Sequence, residues 1–406
     1  MEFKNNLLLT LYTLIIGAIA GLIIWCFIRC MNFGIDFLWS YLPGLFDFKY
    51  YTIVVCTAGG LLIGLWKNKY GDLPEELNEV IQIVKKDHRY SYNNIFPSIV
   101  SSILPLILGA SIGPEAGLTG IIAGLCTWAG DKLKIFNNEL EELAHIGITA
   151  TLGTVFASPM FGFVEPIENE ESKLPKTSKN ILYFVAILSS FGIFILLNRL
   201  THSHAGLHSI GTATLSNLNY LGAIALIVLG ILLSYIHFIS SKLSKRMFKT
   251  LENNFIIKGV IGGLILGIMG TILPLTMFSG EKQIYLLMDS GMQIGLMVLI
   301  LTSLIKIALT NVCIESGLKG GQFFPLIFSG TAMGYAVGIL LNMDPIVSMS
   351  IVTASFMASI LKKPIAVVLL LMIIFPINLI PLMLVSAVVA CLFKTPDFLD
   401  IAQEPF

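Results

Sequence analysis

The sequence predicts an all-α, polytopic membrane protein. Three observations carry that prediction. The 406 residues are 55% hydrophobic and only 12% charged, where soluble domains are about 25% charged. Apolar runs recur along the whole chain, at 7–29, 51–66, 96–129, 142–168, 180–198, 219–240, 257–278, 291–313, 322–341, 345–361 and 364–393. Several of these runs are too short for the ~20 apolar residues of a simple span, or are cut by glycine or proline. The expected helices are therefore partly broken and tilted, in a multi-pass protein of the cell membrane.

The first run, 7–29, is long enough to span and more apolar segments follow, so it reads as a membrane helix and not a secretion signal. Glycines at 259, 263 and 267, and again at 330, 334 and 338, recur every fourth residue. That spacing lays a groove along one helix face and lets a second backbone approach. The breaks at Gly109–Gly117 and Gly317–Pro325 interrupt two apolar stretches. Non-helical backbone at membrane depth is tolerated only where protein or a polar cavity covers it, so both breaks point to an interior site.

The two halves resemble one another. Leu14-Ile-Ile-Gly-Ala-Ile-Ala-Gly-Leu-Ile23 matches Val260-Ile-Gly-Gly-Leu-Ile-Leu-Gly-Ile-Met269. Gly113-Pro-Glu-Ala-Gly-Leu-Thr-Gly120 stands where the second half has Gly320-Gly-Gln-Phe-Phe-Pro-Leu-Ile327, and Ala157-Ser-Pro-Met160 stands where it has Leu361-Lys-Lys-Pro364. The expected organisation is a first membrane repeat over 1–200 and a second over 201–406, with no soluble regulatory domain. Basic residues at 85, 86 and 89, and at 242, 245, 246 and 249, are expected in the cytoplasm by the positive-inside rule.

Charge and motif content exclude several function classes. The formal net charge is zero, so no nucleic-acid partner is expected. The six cysteines lie mostly in apolar stretches and suggest neither a disulfide framework nor a metal cluster. No metalloprotease or serine-hydrolase motif appears in the apolar runs, so no enzyme activity and no cofactor are expected. A cation carrier working through carboxylates would need more intramembrane acids than Glu115 and Glu315 supply.

The segment Leu108-Gly-Ala-Ser-Ile-Gly-Pro-Glu-Ala-Gly-Leu-Thr119 carries the chemistry. Ser111 is a candidate cap and Pro114 suits a first helical position. Glu115 then falls in the first turn, in apolar surroundings. A helix start offers unpaired N–H groups and partial positive charge, which bind an anion or a carboxylate that competes with one. A carboxylate inside a membrane is costly and so a functional candidate. The alternative is a capping carboxylate that faces water.

Taken together these segments resemble the CLC family of chloride channels and chloride/proton antiporters, in a divergent bacterial form. Gly113-Pro-Glu-Ala-Gly117 is similar to the family's Gly-x-Glu-Gly-Pro, with the proline moved ahead of the glutamate. Gly320-Gly-Gln-Phe-Phe-Pro325 matches Gly-Gly-x-Phe-x-Pro in full. Phe156-Ala-Ser-Pro-Met-Phe-Gly162, followed by Glu168, and Met357-Ala-Ser-Ile-Leu-Lys-Lys-Pro364 resemble two further segments. The resemblance implies a CLC-type inverted-topology repeat and a homodimer. It implies transport of a small inorganic anion, chloride first, by proton-coupled antiport with Glu115 as gate. A passive anion channel and a fluoride/proton exporter are the alternatives, and nitrate is a third candidate ion. The implied anion ligands are Gly71, Asp72, Leu73, Gly113, Gln322, Phe323 and Phe324.

Two departures bear on the ion. The family's Gly-Ser-Gly-Ile-Pro aligns with Tyr70-Gly-Asp-Leu-Pro74, so Gly71 replaces the serine and Asp72 stands beside it. Asp72 is expected to point away or to cap a helix. The family's central tyrosine is missing too, since no tyrosine follows Tyr335; Phe393 and Phe398 are the nearest aromatics. For the proton path, His204 aligns near the family's inner relay, with His202 as a neighbour, and Glu315 is a second titratable candidate. The other readings are a solvated His-rich loop, a zinc site with His208, and a Glu315 that pairs with Lys306 or Lys319. Lys319 itself stands beside the second break, where its charge would concentrate anions.

Overall fold

The computed structural model describes residues 2–45, 48–87, 89–133, 140–164, 176–201, 210–213, 219–251 and 254–393. Glu168, His202, His204, His208 and Phe398 lie outside the described residues. Among those described, the chain is helical throughout apart from loops and one isolated antiparallel bridge.

In the first half, α1 (Glu2–Asp36) passes through a π turn into α2 (Leu42–Leu45). It is followed by α3 (Tyr51–Tyr70), α4 (Leu77–Asp87), α5 (Ile95–Ile107), α6 (Glu115–Leu133), α7 (Leu140–Val155), α8 (Pro159–Val164) and α9 (Lys176–Leu200). The second half holds α10 (Tyr220–Lys249), α11 (Phe255–Ile272), α12 (Glu281–Ile294), α13 (Leu296–Glu315), α14 (Phe323–Leu340), α15 (Pro345–Leu361), α16 (Pro364–Leu371) and α17 (Ile380–Leu392). Six stretches among the described residues are long and apolar enough to cross a bilayer. Several others are shorter: α5 has 13 residues, which at ~1.5 Å per residue reach only part of a ~30 Å hydrocarbon core. The run at 96–129 thus becomes two helices separated at the Gly109–Gly117 break, as its glycines and prolines suggested.

Apolar side chains on α9, α10 and α17 face outward. Ile181, Leu196, Leu232, Leu243, Val385 and Leu392 are all exposed. Such surfaces are at home against lipid chains, not water. By contrast α14 and α15 are buried along nearly their whole length and form the centre of the molecule.

Close packing follows the glycine spacing. A Cβ added to Gly60 of α3 would lie 2.0 Å from the Gly259 carbonyl oxygen, and one on Gly263 would lie 2.2 Å from that of Cys56. The backbones of α3 and α11 therefore touch directly. The second glycine stripe works in the same way, since a Cβ on Gly334 of α14 would lie 2.6 Å from Cα of Met349 in α15.

A cluster of three charges joins the loops on one side of the site. Lys67, near the end of α3, is 1% exposed, and its Nζ lies 2.6 Å from Asp72 Oδ1. Lys319, in the loop before α14, donates to Asp72 Oδ2 at 2.9 Å. Asp72 is thus not a helix cap. The first turn of α4 is closed instead by Glu79, whose Oε2 accepts from the Glu76 N–H at 2.8 Å, as in a capping box. Burial opposes the charge of Asp72, but Lys67 and Lys319 outweigh it and hold its pKa at about 2.

Two outcomes are expected. Gly60→Val should overpack the α3–α11 contact and cost ~1–3 kcal/mol, read as a fall in the thermal unfolding temperature in detergent. Asp72→Asn should leave the Lys67 ammonium buried without a counter-charge. Breaking a buried pair costs ~3–5 kcal/mol, and the 43% exposure of Asp72 puts this case at the low end. Because the folded pKa is depressed, the contribution of Asp72 is complete above the ~3.9 of an unfolded aspartate. It is lost only as pH falls through about 2. On the acid side the stability difference between wild type and Asp72→Asn should therefore hold level from pH 6 down to pH 5, in a pH scan of the same unfolding measurement.

Candidate functional site

The site is built where the two broken stretches meet. After α5 the chain turns at Gly109, whose φ of +80° suits glycine, and runs through Ala110–Pro114 to the start of α6. After α13 it turns at Gly317, φ +93°, and runs to the start of α14. The two loops pair back to back. The Gly113 N–H donates to the Gly321 carbonyl at 2.6 Å, and the Gly321 N–H donates to the Gly113 carbonyl at 2.7 Å. This one bridge satisfies both backbones inside the protein, where an unmade hydrogen bond would be expensive.

Ser111 does not cap α6. It is fully buried, and its Oγ lies 3.1 Å from Thr310 Oγ1 of α13. The loop turns inward four residues before the helix begins, so the serine side chain reaches the neighbouring helix instead. One turn before Thr310 on α13, Lys306 sends its Nζ to the carbonyls of Thr276, Met277 and Phe278 at 3.1, 3.0 and 2.8 Å. Lys306 thereby anchors the loop that also bonds Gly109, through the Phe278 N–H at 3.0 Å. It does not pair with Glu315.

Glu115 opens α6 and is 1% exposed. Its Oε1 accepts from the Phe323 N–H at 2.9 Å, the first residue of α14. The amides of Glu115 itself and of Phe324 also act on the carboxyl group. Oε2 is buried and has no hydrogen-bond partner among the described residues. The carboxyl group fits only because both loop glycines lack side chains. A Cβ on Gly321 would lie 1.9 Å from Glu115 Cδ, and one on Gly113 would lie 2.1 Å from Oε2. Phe156, from the turn before α8, packs its ring on Phe323 and Phe324, with centroids 5.5 and 4.8 Å apart. The start of α14 is thus walled by aromatic rings while its N–H groups point at a carboxylate. The partial positive charge of the 18-residue helix adds to those groups.

A cavity of about 150 Å³ opens next to this carboxyl group. Glu115, Gln322 and Phe323 border it, with Glu76 just before α4, Asn78 on α4 and Lys363 just before α16. Three of the expected anion ligands have their N–H groups committed within the protein. Gly71 donates to the Lys67 carbonyl at 2.8 Å, Leu73 to the Gly71 carbonyl at 3.0 Å, and Gly113 to Gly321. The carboxylate of Asp72 is held by the two lysines described above. Glu315 ends α13 among Lys245, Lys258, Lys319 and Glu76. Phe393 is half exposed at the end of α17. Two residues of the site escaped sequence reading. Lys67 stands just past the end of the apolar run 51–66, five residues before an acid, and Glu76 sits in an acidic stretch that reads as a plain helix start.

Comparison with known proteins places this arrangement. The family model described as "Voltage gated chloride channel" matches residues 59–395. The chain is 23% identical over 344 residues to the "Putative ion-transport protein YfeO" of Salmonella paratyphi A, with 82% of this chain and 80% of the relative covered. It is 24% identical over 343 residues to the protein of the same description from Escherichia coli O7:K1, covering 82% and 79%. Among solved structures it is similar to a CLC-type fluoride/proton antiporter, with a TM-score of 0.76 at 19% identity, covering 95% of this chain and 94% of that one. A slow cyanobacterial Cl−/H+ antiporter gives a TM-score of 0.79 at 18% identity, covering 94% and 93%. With more than half its length matched in this way, the chain belongs to the voltage-gated chloride channel family, and is a CLC-type, multi-pass anion-transport protein and not an enzyme.

Proposed function

We propose that the protein is a proton-coupled antiporter for a small inorganic anion, chloride first, with Glu115 as its gate. The observation that carries this reading is the Glu115 carboxylate on the Phe323 amide, at a helix start inside the membrane. That spot is an anion site occupied by a tethered anion. When Glu115 takes up a proton its charge is lost, its hold on the amide weakens, and an external anion can take its place. When the anion leaves, the carboxylate returns. One site then serves proton and anion in turn, which is the basis of exchange.

Binding of this kind must be favourable but escapable. Amides and a helix dipole meet that need, because no full positive charge sits on the anion. With the Gly71, Leu73 and Gly113 amides engaged elsewhere, coordination in this reading falls to the amides of Gln322, Phe323 and Phe324. The same loop pairing supports an organisation in two repeats, 1–200 and 201–406, each supplying one broken helix. The exposed apolar faces of α9 and α17 suit a second copy of the chain as well as lipid, so a homodimer is part of the proposal.

A fluoride/proton exporter is the second reading. It is favoured by the loss of hydroxyl groups: Gly71 stands at the serine position, and no tyrosine follows Tyr335. One of the similar structures is described as a CLC-type fluoride/proton antiporter. Efflux of chloride, fluoride and nitrate from liposomes, read with ion-selective electrodes, separates the readings; equal and negligible rates for all three would reject transport.

Glu115→Gln keeps the shape of the gate and removes its titration. It is expected to lower proton movement per anion by about 10²-fold or more, the lower range for loss of a proton-transfer group, while anion flux continues. Simultaneous recording of pH and anion efflux under an imposed gradient gives the ratio. A wild-type ratio in this variant would refute the role of Glu115.

A further inference from the structure

Two lysines from opposite halves of the chain converge on one carboxylate. Lys67 Nζ stands 2.6 Å from Asp72 Oδ1, and Lys319 Nζ stands 2.9 Å from Asp72 Oδ2. Each ammonium takes its own oxygen, so the pair grips the two-oxygen edge of a planar group. Two ammoniums brought together in this way repel one another, and a buried one needs a counter-charge. Something negative must therefore lie between them. Lys258 adds a third positive charge near Lys67, while Glu76 and Glu79 act on Lys319 from the α4 side.

The three groups differ in how firmly they are held. The Lys67 side chain is 1% exposed and that of Lys319 17%, but that of Asp72 is 43% exposed. Lys67 grows from the last turn of α3 and lies against Gly317, where an added Cβ would stand 3.5 Å from Lys67 Cδ. Asp72 stands in a loop directly after Gly71, whose φ is +92°. A Cβ on Gly71 would meet no atom within 4 Å, so the loop has open space beside it. The cations are the fixed wall and the acid is the movable filling. Lys319 directly precedes Gly320, Gly321 and Gln322, which border the cavity beside Glu115. The grip thus lies on the loop that leads to the start of α14.

We infer that Lys67 and Lys319 form a second anion site, separate from the Phe323 amide, which Asp72 fills as a tethered anion. Its external ligand is a small planar oxyanion, such as formate or nitrate. Such an ion carries two oxygens on one centre, as the Asp72 carboxylate does, and offers one to each ammonium. Paired charge-assisted hydrogen bonds of this kind are strong and set geometry as well as energy. A halide has a single centre and cannot reproduce the two-oxygen edge. No covalent bond changes, since one anion takes the place of another. The inference does not rest on the reading of Glu115 as a gate.

The test is thermal unfolding of the full-length protein in detergent at constant ionic strength. Formate, nitrate and chloride each replace the bulky HEPES anion in a titration. Asp72→Ala should unfold at a lower temperature than wild type in HEPES alone. Formate and nitrate should raise its unfolding temperature saturably, by about 2 °C or more beyond any rise in wild type, whose own carboxylate fills the site. Chloride should raise it less. Adding Lys319→Gln to Asp72→Ala should remove the excess response. Equal responses of Asp72→Ala and wild type overturn the inference. So does an excess that survives Lys319→Gln, which puts the anion elsewhere, and so does chloride acting as strongly as formate. Asp72→Ala that is monodisperse only with formate or nitrate present is an outcome in favour. If it is monodisperse in neither, Asp72→Ser is measured in its place, and the same outcomes decide.

Discussion

A helix that begins inside a membrane protein leaves N–H groups pointing at a place with no bulk water. Something negative must meet them, or their desolvation is uncompensated. In this chain Phe323 begins such a helix, and the Glu115 carboxylate meets it at 2.9 Å. The carboxylate has the opposite difficulty, because a buried charge needs donors. Each group therefore answers the cost of the other. The arrangement is stable, yet it rests on the Phe323 hydrogen bond and a dipole, and it leaves Oε2 without a partner among the described residues. A small anion offers the same charge to the same donors, so it can compete.

Much of the architecture serves to bring Glu115 and Phe323 together across 208 residues of chain. The two-bond bridge between Gly113 and Gly321 fixes the loops. The absence of side chains at those two glycines makes the space for the carboxyl group. Glycine stripes seat α3 on α11 and α14 on α15. Lys306 and the Ser111–Thr310 pair tie the first loop to α13. On the other side, Asp72 links Lys67 of the first half to Lys319 of the second. The charges near the site are thus mostly spent on holding loops, while the proposed anion site is left to backbone amides.

The fold was legible because composition and run length are direct consequences of the lipid solvent. Glycine spacing foretold that another backbone would approach one face of α11 and of α14, since the glycines of each stripe lie on one helix face; that α3 and α15 are the partners came only from the fold. The meeting of Gly113 with Gly321 was foreshadowed by two broken stretches at matching places. Other parts depended on tertiary contacts that no local pattern encodes. Ser111 looked like a cap, but the loop turns it toward Thr310. Asp72 looked like a cap or an outward charge, but two lysines from different halves hold it. Glu76 gave no signal, because its place in the cavity wall depends on how α4 packs against α6 and α7.

The account depends on the Glu115 carboxylate standing on a site that an anion would otherwise fill. A crystal structure of the Glu115→Gln variant grown with bromide tests this directly, because anomalous scattering locates the ion without ambiguity. The expected result is bromide at the Phe323 and Phe324 amides, with the glutamine side chain displaced from that spot. Glutamine still bonded to Phe323, with bromide absent from the start of α14, would contradict it.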